Sequence, residues 1–238
     1  MPENINNNLS CPKIFALFQK RIEGDDALLR LASLRFKEAG LGAEYHAETP
    51  DELEWLLSFR PSPDAPVVVH LSREINLFEE SRRKAVLSFA QGFKNRVYGF
   101  VVHDQGEITT RFDEYSAVLE EMESNLQKIK GCPYIFIEYA VGLTPDVFIN
   151  LFRRIAGLEK ISACIDIGHI GLWQARAAFS LRHPGKDICA LKPSSPELPE
   201  VIDDVVEAVS SAPDAVLRVV QELGRLRKPL HSARRKRI

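Results

Sequence analysis

The sequence predicts an α/β protein of the (β/α)8 TIM-barrel type, and three observations carry that prediction. Over the first 170 residues one rhythm repeats: a short apolar run, a polar turn, then an amphipathic helical pattern. The runs are nearly all apolar, as strands covered on both faces of a parallel sheet must be. No run leads into a GxGxxG or GxxxxGK[ST] loop, so the nucleotide-binding doubly wound sheets lose their best mark.

The elements follow in order. KIFALF at 13–18 is the first strand, and a helical pattern at about 25–38 ends before Gly40. LGAEYH at 41–46 is the second, and Thr49-Pro50-Asp51-Glu52 then forms a capping box with Thr at N-cap, Pro at N1 and Glu at N3. PVVVHL at 66–71 and VYGFVVH at 97–103 are the third and fourth, with Arg82-Arg83-Lys84 between them read as a solvated helix face. A helix at 113–129 closed by Gly131 leads to PYIFIEY at 133–139. Thr144-Pro145-Asp146 opens the next helix and Gly157 is placed to close it, before ISACIDIGH at 161–169. After Trp173 a helix runs to about Leu181, and a Pro- and Ser-rich loop follows in which DICALK is a short extended piece. Helical patterns return at 199–210 and 213–227, and Lys228-Pro229-Leu230-His231 is a seventh strand before SARRKRI.

Residues 11–231 are read as one domain between a polar tail at 1–10 and a basic tail at 232–238. An eighth strand finds no sequence, so the barrel is expected to be incomplete, with six or seven strands. KIFALF would then expose an unpaired edge, favouring a homo-oligomer through that open edge or a marginal, aggregation-prone fold. Along the strands Gly99, Val101, His103, Tyr134, Phe136 and Glu138 should face inward, and Tyr98, Phe100, Ile135 and Ile137 should pack under the helices.

Composition excludes several classes. The 238 residues carry 31 Lys plus Arg against 33 Asp plus Glu, a net charge of -2 that argues against nucleic acid as a partner. No apolar run approaches the roughly 18 residues of a membrane span, and the N-terminus has no charged-then-apolar leader. Four cysteines lie far apart without a CxxC pair, which suits reduced thiols and a cytoplasmic location.

The chemistry sits at the strand ends. VVVH ends at His70, VVH at His103, IFIE at Glu138 and CID at Asp166, with His169 three residues on. Glu44 and His46, two apart, share one strand face. In a barrel these ends converge on one site. Taken singly, each has a structural explanation: Glu138 could pair with an Arg, and Asp166 could cap the next turn. Together they offer ligand types suited to Zn²⁺ or Mn²⁺, and the absence of thiolate favours a catalytic over a closed structural site. Cys164, Trp55 and Trp173 are read as packing residues.

Glu138 in IFIEY, the Asp166-Ile-Gly-His169 turn and the strand-end His70 and His103 resemble the xylose isomerase-like TIM-barrel superfamily. That group includes sugar and sugar-phosphate isomerases and epimerases and the endonuclease IV type of DNA repair enzyme. The resemblance implies a divalent ion (Zn, Mn or Mg) held by Glu138, Asp166 and His231. It also implies a small-molecule substrate met by Glu44, His46, His70, His103 and His169, with Glu138 and His169 as catalytic residues. On the isomerase pattern the ion would chelate adjacent carbonyl and hydroxyl oxygens while Glu138 moves the proton. On the endonuclease pattern His70, His103, Glu138, Asp166, His169 and His231 would form a multinuclear cluster hydrolysing phosphodiesters. The sequence departs from the family after His231, where SARRKRI carries no acid–base Glu, so a catalytically incomplete remnant is the third expectation.

Overall fold

Each of the six apolar runs supplies a strand: β1 (Ile14–Ala16), β2 (Gly42–His46), β3 (Val67–His70), β4 (Gly99–His103), β5 (Tyr134–Glu138) and β6 (Ile161–Cys164). The computed structural model describes residues 14–16, 24–60, 62, 65–140, 142–192, 194–196, 198–211 and 215–226. The strands form one sheet in the order β1-β2-β3-β4-β5-β6, every neighbouring pair parallel. A doubly wound sheet reverses its strand order at a switch point; the described strands have no reversal. The α/β class with a parallel sheet therefore holds, and the order is compatible with part of a barrel wall.

Helices α1 (Asp26–Glu38), α2 (Pro50–Leu57), α3 (Glu80–Gly92), α4 (Phe112–Leu126) and α5 (Pro145–Arg154) connect successive strands. Their starts are chemically marked. Thr49 Oγ1 accepts from the Glu52 amide at 3.2 Å, while Glu52 reaches back to the Glu48 amide at 2.7 Å, one residue further than the usual reciprocal bond. Thr144 caps α5 through the Val147 amide, with Pro145 at the first helical position. Gly40 takes a left-handed φ of 63° directly after Ala39, the cap of α1, whereas α4 ends at Leu126 with Gln127 as cap, so Gly131, at φ 75°, does not close it as the sequence suggested. After β6 come α6 (Ile167–Arg182), α7 (Leu198–Ser211) and α8 (Ala215–Arg225). Helix α8 packs on α5 and α6, burying Val219 and Leu223 and pairing Arg153 with Glu222 at 2.6 Å.

Alternation along the strands sorts the two faces. Tyr45, Val67, Val69, Phe100, Val102, Ile135, Ile137, Ile161 and Ala163 pack with helix residues such as Leu53, Val86, Leu119 and Phe148 in the main core. Val68, Val101, Phe136 and Cys164 point the other way and form a smaller apolar cluster. The expected inward set of Val101 and Phe136 thus lies opposite the helices. Gly99 is required there because the Phe136 ring occupies the space a Cβ would take.

Several details correct the sequence reading. Tyr98 does not pack under the helices: it precedes the paired part of β4, and its ring joins Tyr134 and Phe136 at centroid distances of 5.4 and 6.0 Å. Helix α5 ends at Arg154 with Ile155 as cap, so Gly157 does not close it. Helix α6 begins at Ile167, well before Trp173, and the stretch within DICALK is a 3-10 turn at Ile188–Ala190, not an extended piece. Arg83 is no solvated residue, because its guanidinium donates to the Leu77 and Phe78 carbonyls at 2.9 and 3.0 Å. The 1–10 and 232–238 tails, the proposed seventh strand and His231 lie outside the described residues.

Candidate metal centre

The pairing register decides which polar side chains meet. His46 and His70 are direct partners across β2 and β3, and Glu44 lies two residues back on the His46 face. His70 pairs with Val101, which puts His103 one same-face step beyond it on β4. His103 in turn pairs with Glu138, and Glu138 with Cys164, so that Asp166 lies one such step beyond β6. A polar layer therefore crosses the strands immediately above the apolar layer of Val68, Val101, Phe136 and Cys164.

The layer is tightly drawn around Glu138, a residue only 1% exposed. Its Oε2 lies 2.9 Å from Nε2 of His70 and 2.9 Å from Nε2 of His103, and the two nitrogens are 3.0 Å apart. The His70 ring stacks on His46 at 4.8 Å and meets His103 edge-on at 4.9 Å. On its far side, Nδ1 of His70 lies 3.4 Å from Oε1 of Glu44. Burial works against charge on His70, but the Glu138 and Glu44 carboxylates on its two sides outweigh it and raise its pKa to about 9. Burial likewise favours the neutral form of Glu138, yet the imidazoles of His103 and His70 hold its pKa down at about 2.

Asp166 and His169 extend the same layer. Oδ1 of Asp166 accepts from the Gly168 and His169 amides at 2.7 and 3.2 Å, so Asp166 caps α6, the structural role the sequence left open for it. Its Oδ2 faces Nδ1 of His169 at 3.3 Å, and that nitrogen is also 3.1 Å from the Tyr139 carbonyl.

Sequence reasoning passed over Asp104. Its Oδ1 accepts from the Ala140 and Gly142 amides at 3.1 and 3.3 Å, tying the loop after β4 to the loop after β5. Gly142 has no room for a side chain, since a Cβ would lie 2.9 Å from that oxygen and 3.1 Å from the Gly106 nitrogen. Burial raises the Asp104 pKa to about 6 despite those two amide donors. The signal was the HD pair ending VVHD, where only the histidine was singled out.

The donor set suits a divalent ion. Three overlapping groups have ligand atoms within 4.8 Å of one another: Glu44, His46 and His70; His70, His103 and Glu138; Glu138, Asp166 and His169. In the middle group, buried Oε2 of Glu138 accepts no well-directed hydrogen bond although two ring nitrogens approach it. The two ring nitrogens are within hydrogen-bond distance of each other at 3.0 Å, which leaves Oε2 of Glu138 as the buried acceptor that a cation would satisfy. Spacings near 3 Å would let His70, His103 and Glu138 hold one divalent ion together, and it would supply Lewis acidity there. The structure thus brings His70, His103, Glu138, Asp166, His169, Glu44 and His46 to one end of the sheet; His231 lies outside the described residues. No family model, no curated protein and no solved structure matches the chain.

Proposed function

We propose that this chain is a metal-dependent enzyme of the (β/α)8-barrel type, an isomerase or epimerase acting on a sugar, a sugar phosphate or a similar hydroxy-carbonyl compound. The observation that carries the metal-dependent part is the triangle of His70 Nε2, His103 Nε2 and Glu138 Oε2, with sides of 2.9–3.0 Å, in which His70 and Glu138 are buried and His103 partly so. His70, His103 and Glu138 would hold one divalent ion, and Asp166 and His169 would flank Glu138 on its other side. A bound ion supplies Lewis acidity to adjacent carbonyl and hydroxyl oxygens. Glu138 is enclosed by two imidazoles, which suits a ligand better than a base moving a substrate proton. His169, tethered through Nδ1 and partly exposed, is left with Nε2 to meet the substrate. The substrate class rests on the family resemblance and on the acidic surroundings, Glu44, Glu138 and Asp166, which disfavour a polyanionic duplex.

The second reading is metal-dependent phosphodiester hydrolysis. One observation favours it: Glu138 belongs to both the His70–His103 group and the Asp166–His169 group, as a carboxylate shared by two ions would. One experiment separates these readings. Zinc- or manganese-loaded protein is assayed for epimerisation of hydroxy-carbonyl compounds by proton exchange in D₂O, and for cleavage of abasic-site DNA. Solvent deuterium entering the substrate carbon supports the isomerase; DNA cleavage alone selects the hydrolase. Metal uptake with neither activity selects the catalytically incomplete barrel.

A further inference from the structure

A histidine that binds a metal through one ring nitrogen is oriented by what its other nitrogen meets. His70 turns Nε2 to Glu138 and His103, so its orientation depends on Nδ1. That nitrogen is buried and makes no close hydrogen bond, and Oε1 of Glu44 lies 3.4 Å away. Glu44 is itself buried at 5% exposure, on β2, which pairs with β1 and β3. Beside it, His46 is the direct cross-strand partner of His70, and the two rings stack at an interplanar angle of 23°.

We infer that Glu44 and His46 are positioning residues for His70 rather than contacts for substrate. Glu44 accepts a hydrogen bond from Nδ1–H, which keeps the proton on Nδ1 and leaves the Nε2 lone pair for the ion, and the His46 ring fixes the plane of the His70 ring. This rests on the metal-centre reading above and deepens it. The alternation of β2 requires the pairing: residues two apart share a face, so one strand delivers the acceptor and the stacking ring together.

The test uses the full chain with Zn²⁺ as the probe, following affinity by chelator competition, stoichiometry by elemental analysis, and the His70 Nδ1–H resonance of the zinc-loaded protein. Glu44→Met removes charge and acceptor and should weaken zinc binding about 10–100-fold with stoichiometry unchanged. Glu44→Gln removes the charge but keeps an acceptor oxygen, so it should bind more tightly than the Met variant and retain the Nδ1–H resonance. The gap between the two reads the hydrogen bond, since both lose the charge. His46→Phe keeps a stacking ring without nitrogens and should bind zinc as the wild type does.

Equal affinity and an unaltered resonance in Glu44→Met would overturn the assignment. So would loss of a zinc equivalent in either the Glu44 or the His46 variants, which would make these residues ligands. Should Glu44→Met not fold, Glu44→Gln decides instead: wild-type zinc affinity with an unshifted Nδ1–H resonance in that variant overturns the assignment. Wild-type protein that takes up no zinc overturns the metal-centre reading, and this assignment with it. Zinc uptake that is insensitive to Glu44 overturns this assignment alone.

Discussion

Around Glu138, three donor atoms about 3 Å apart compete for too few protons. In the metal-free protein a charged His70 serves as the cation, lying between Glu138 and Glu44. Replacing Glu138 by Gln should weaken zinc binding at least tenfold by removing an anionic ligand, since the ion would be left with neutral donors; unchanged affinity would exclude Glu138. The same pair sets a pH dependence. Glu138, held at about 2 against an ordinary 4.5, contributes stability above pH 4.5 that is lost as pH falls toward 2. His70, raised from 6.5 to about 9, contributes fully below pH 6.5 and loses that contribution as pH rises through 9. The stability gap between chelator-treated wild type and Glu138→Gln should therefore be widest between about pH 4.5 and 6.5. Urea denaturation measures it, and a gap widening steadily toward pH 9 would contradict the pairing. At this scale, strand-end His70, His103 and Glu138 were legible because a run that is apolar up to its last residue singles that residue out. Asp104 was not, because a polar residue starting a loop reads as ordinary turn chemistry until its partners at 140 and 142 are known.

At the level of elements, capping chemistry was the most legible part of the sequence. Thr49 caps α2 as its spacing to Glu52 indicates, and Thr49→Ala should cost about 1 kcal/mol in a denaturation experiment. Contacts between elements were less legible. Alternation placed Gly99 inward but did not show that it is the space into which the Phe136 ring packs from the neighbouring strand. Gly99→Ala should destabilise by about 1–3 kcal/mol through overpacking, and pairing it with Phe136→Leu should recover much of the loss. An additive double variant would show that the two positions do not compete for space. Tyr98 was misassigned for the same reason: alternation holds only within the paired strand, and one residue outside it the ring turns toward Tyr134. Gly157 failed as a cap because α5 ends three residues earlier, at Arg154, with Ile155 as its cap.

Across the whole molecule, the order of the sheet followed from repetition. Successive βα units with no nucleotide loop imply strands added one after another, and β1 to β6 are so arranged. What the pattern could not supply is whether the wall closes, since that depends on strand pairings beyond those described. Among the described strands β1 and β6 each pair on one side only. On the open-barrel reading, amides along Ile14–Ala16 should exchange rapidly in a monomeric sample and slow as the protein associates. Slow exchange in a demonstrable monomer would mean that the β1 edge is covered. A metal centre on His70, His103 and Glu138 at the strand ends of this sheet can be seen by anomalous diffraction at the zinc edge from crystals of zinc-loaded protein. A peak bonded to Nε2 of His70, Nε2 of His103 and the Glu138 carboxylate is expected; crystals with no peak there, or with zinc bound only elsewhere, would show that these residues hold no metal.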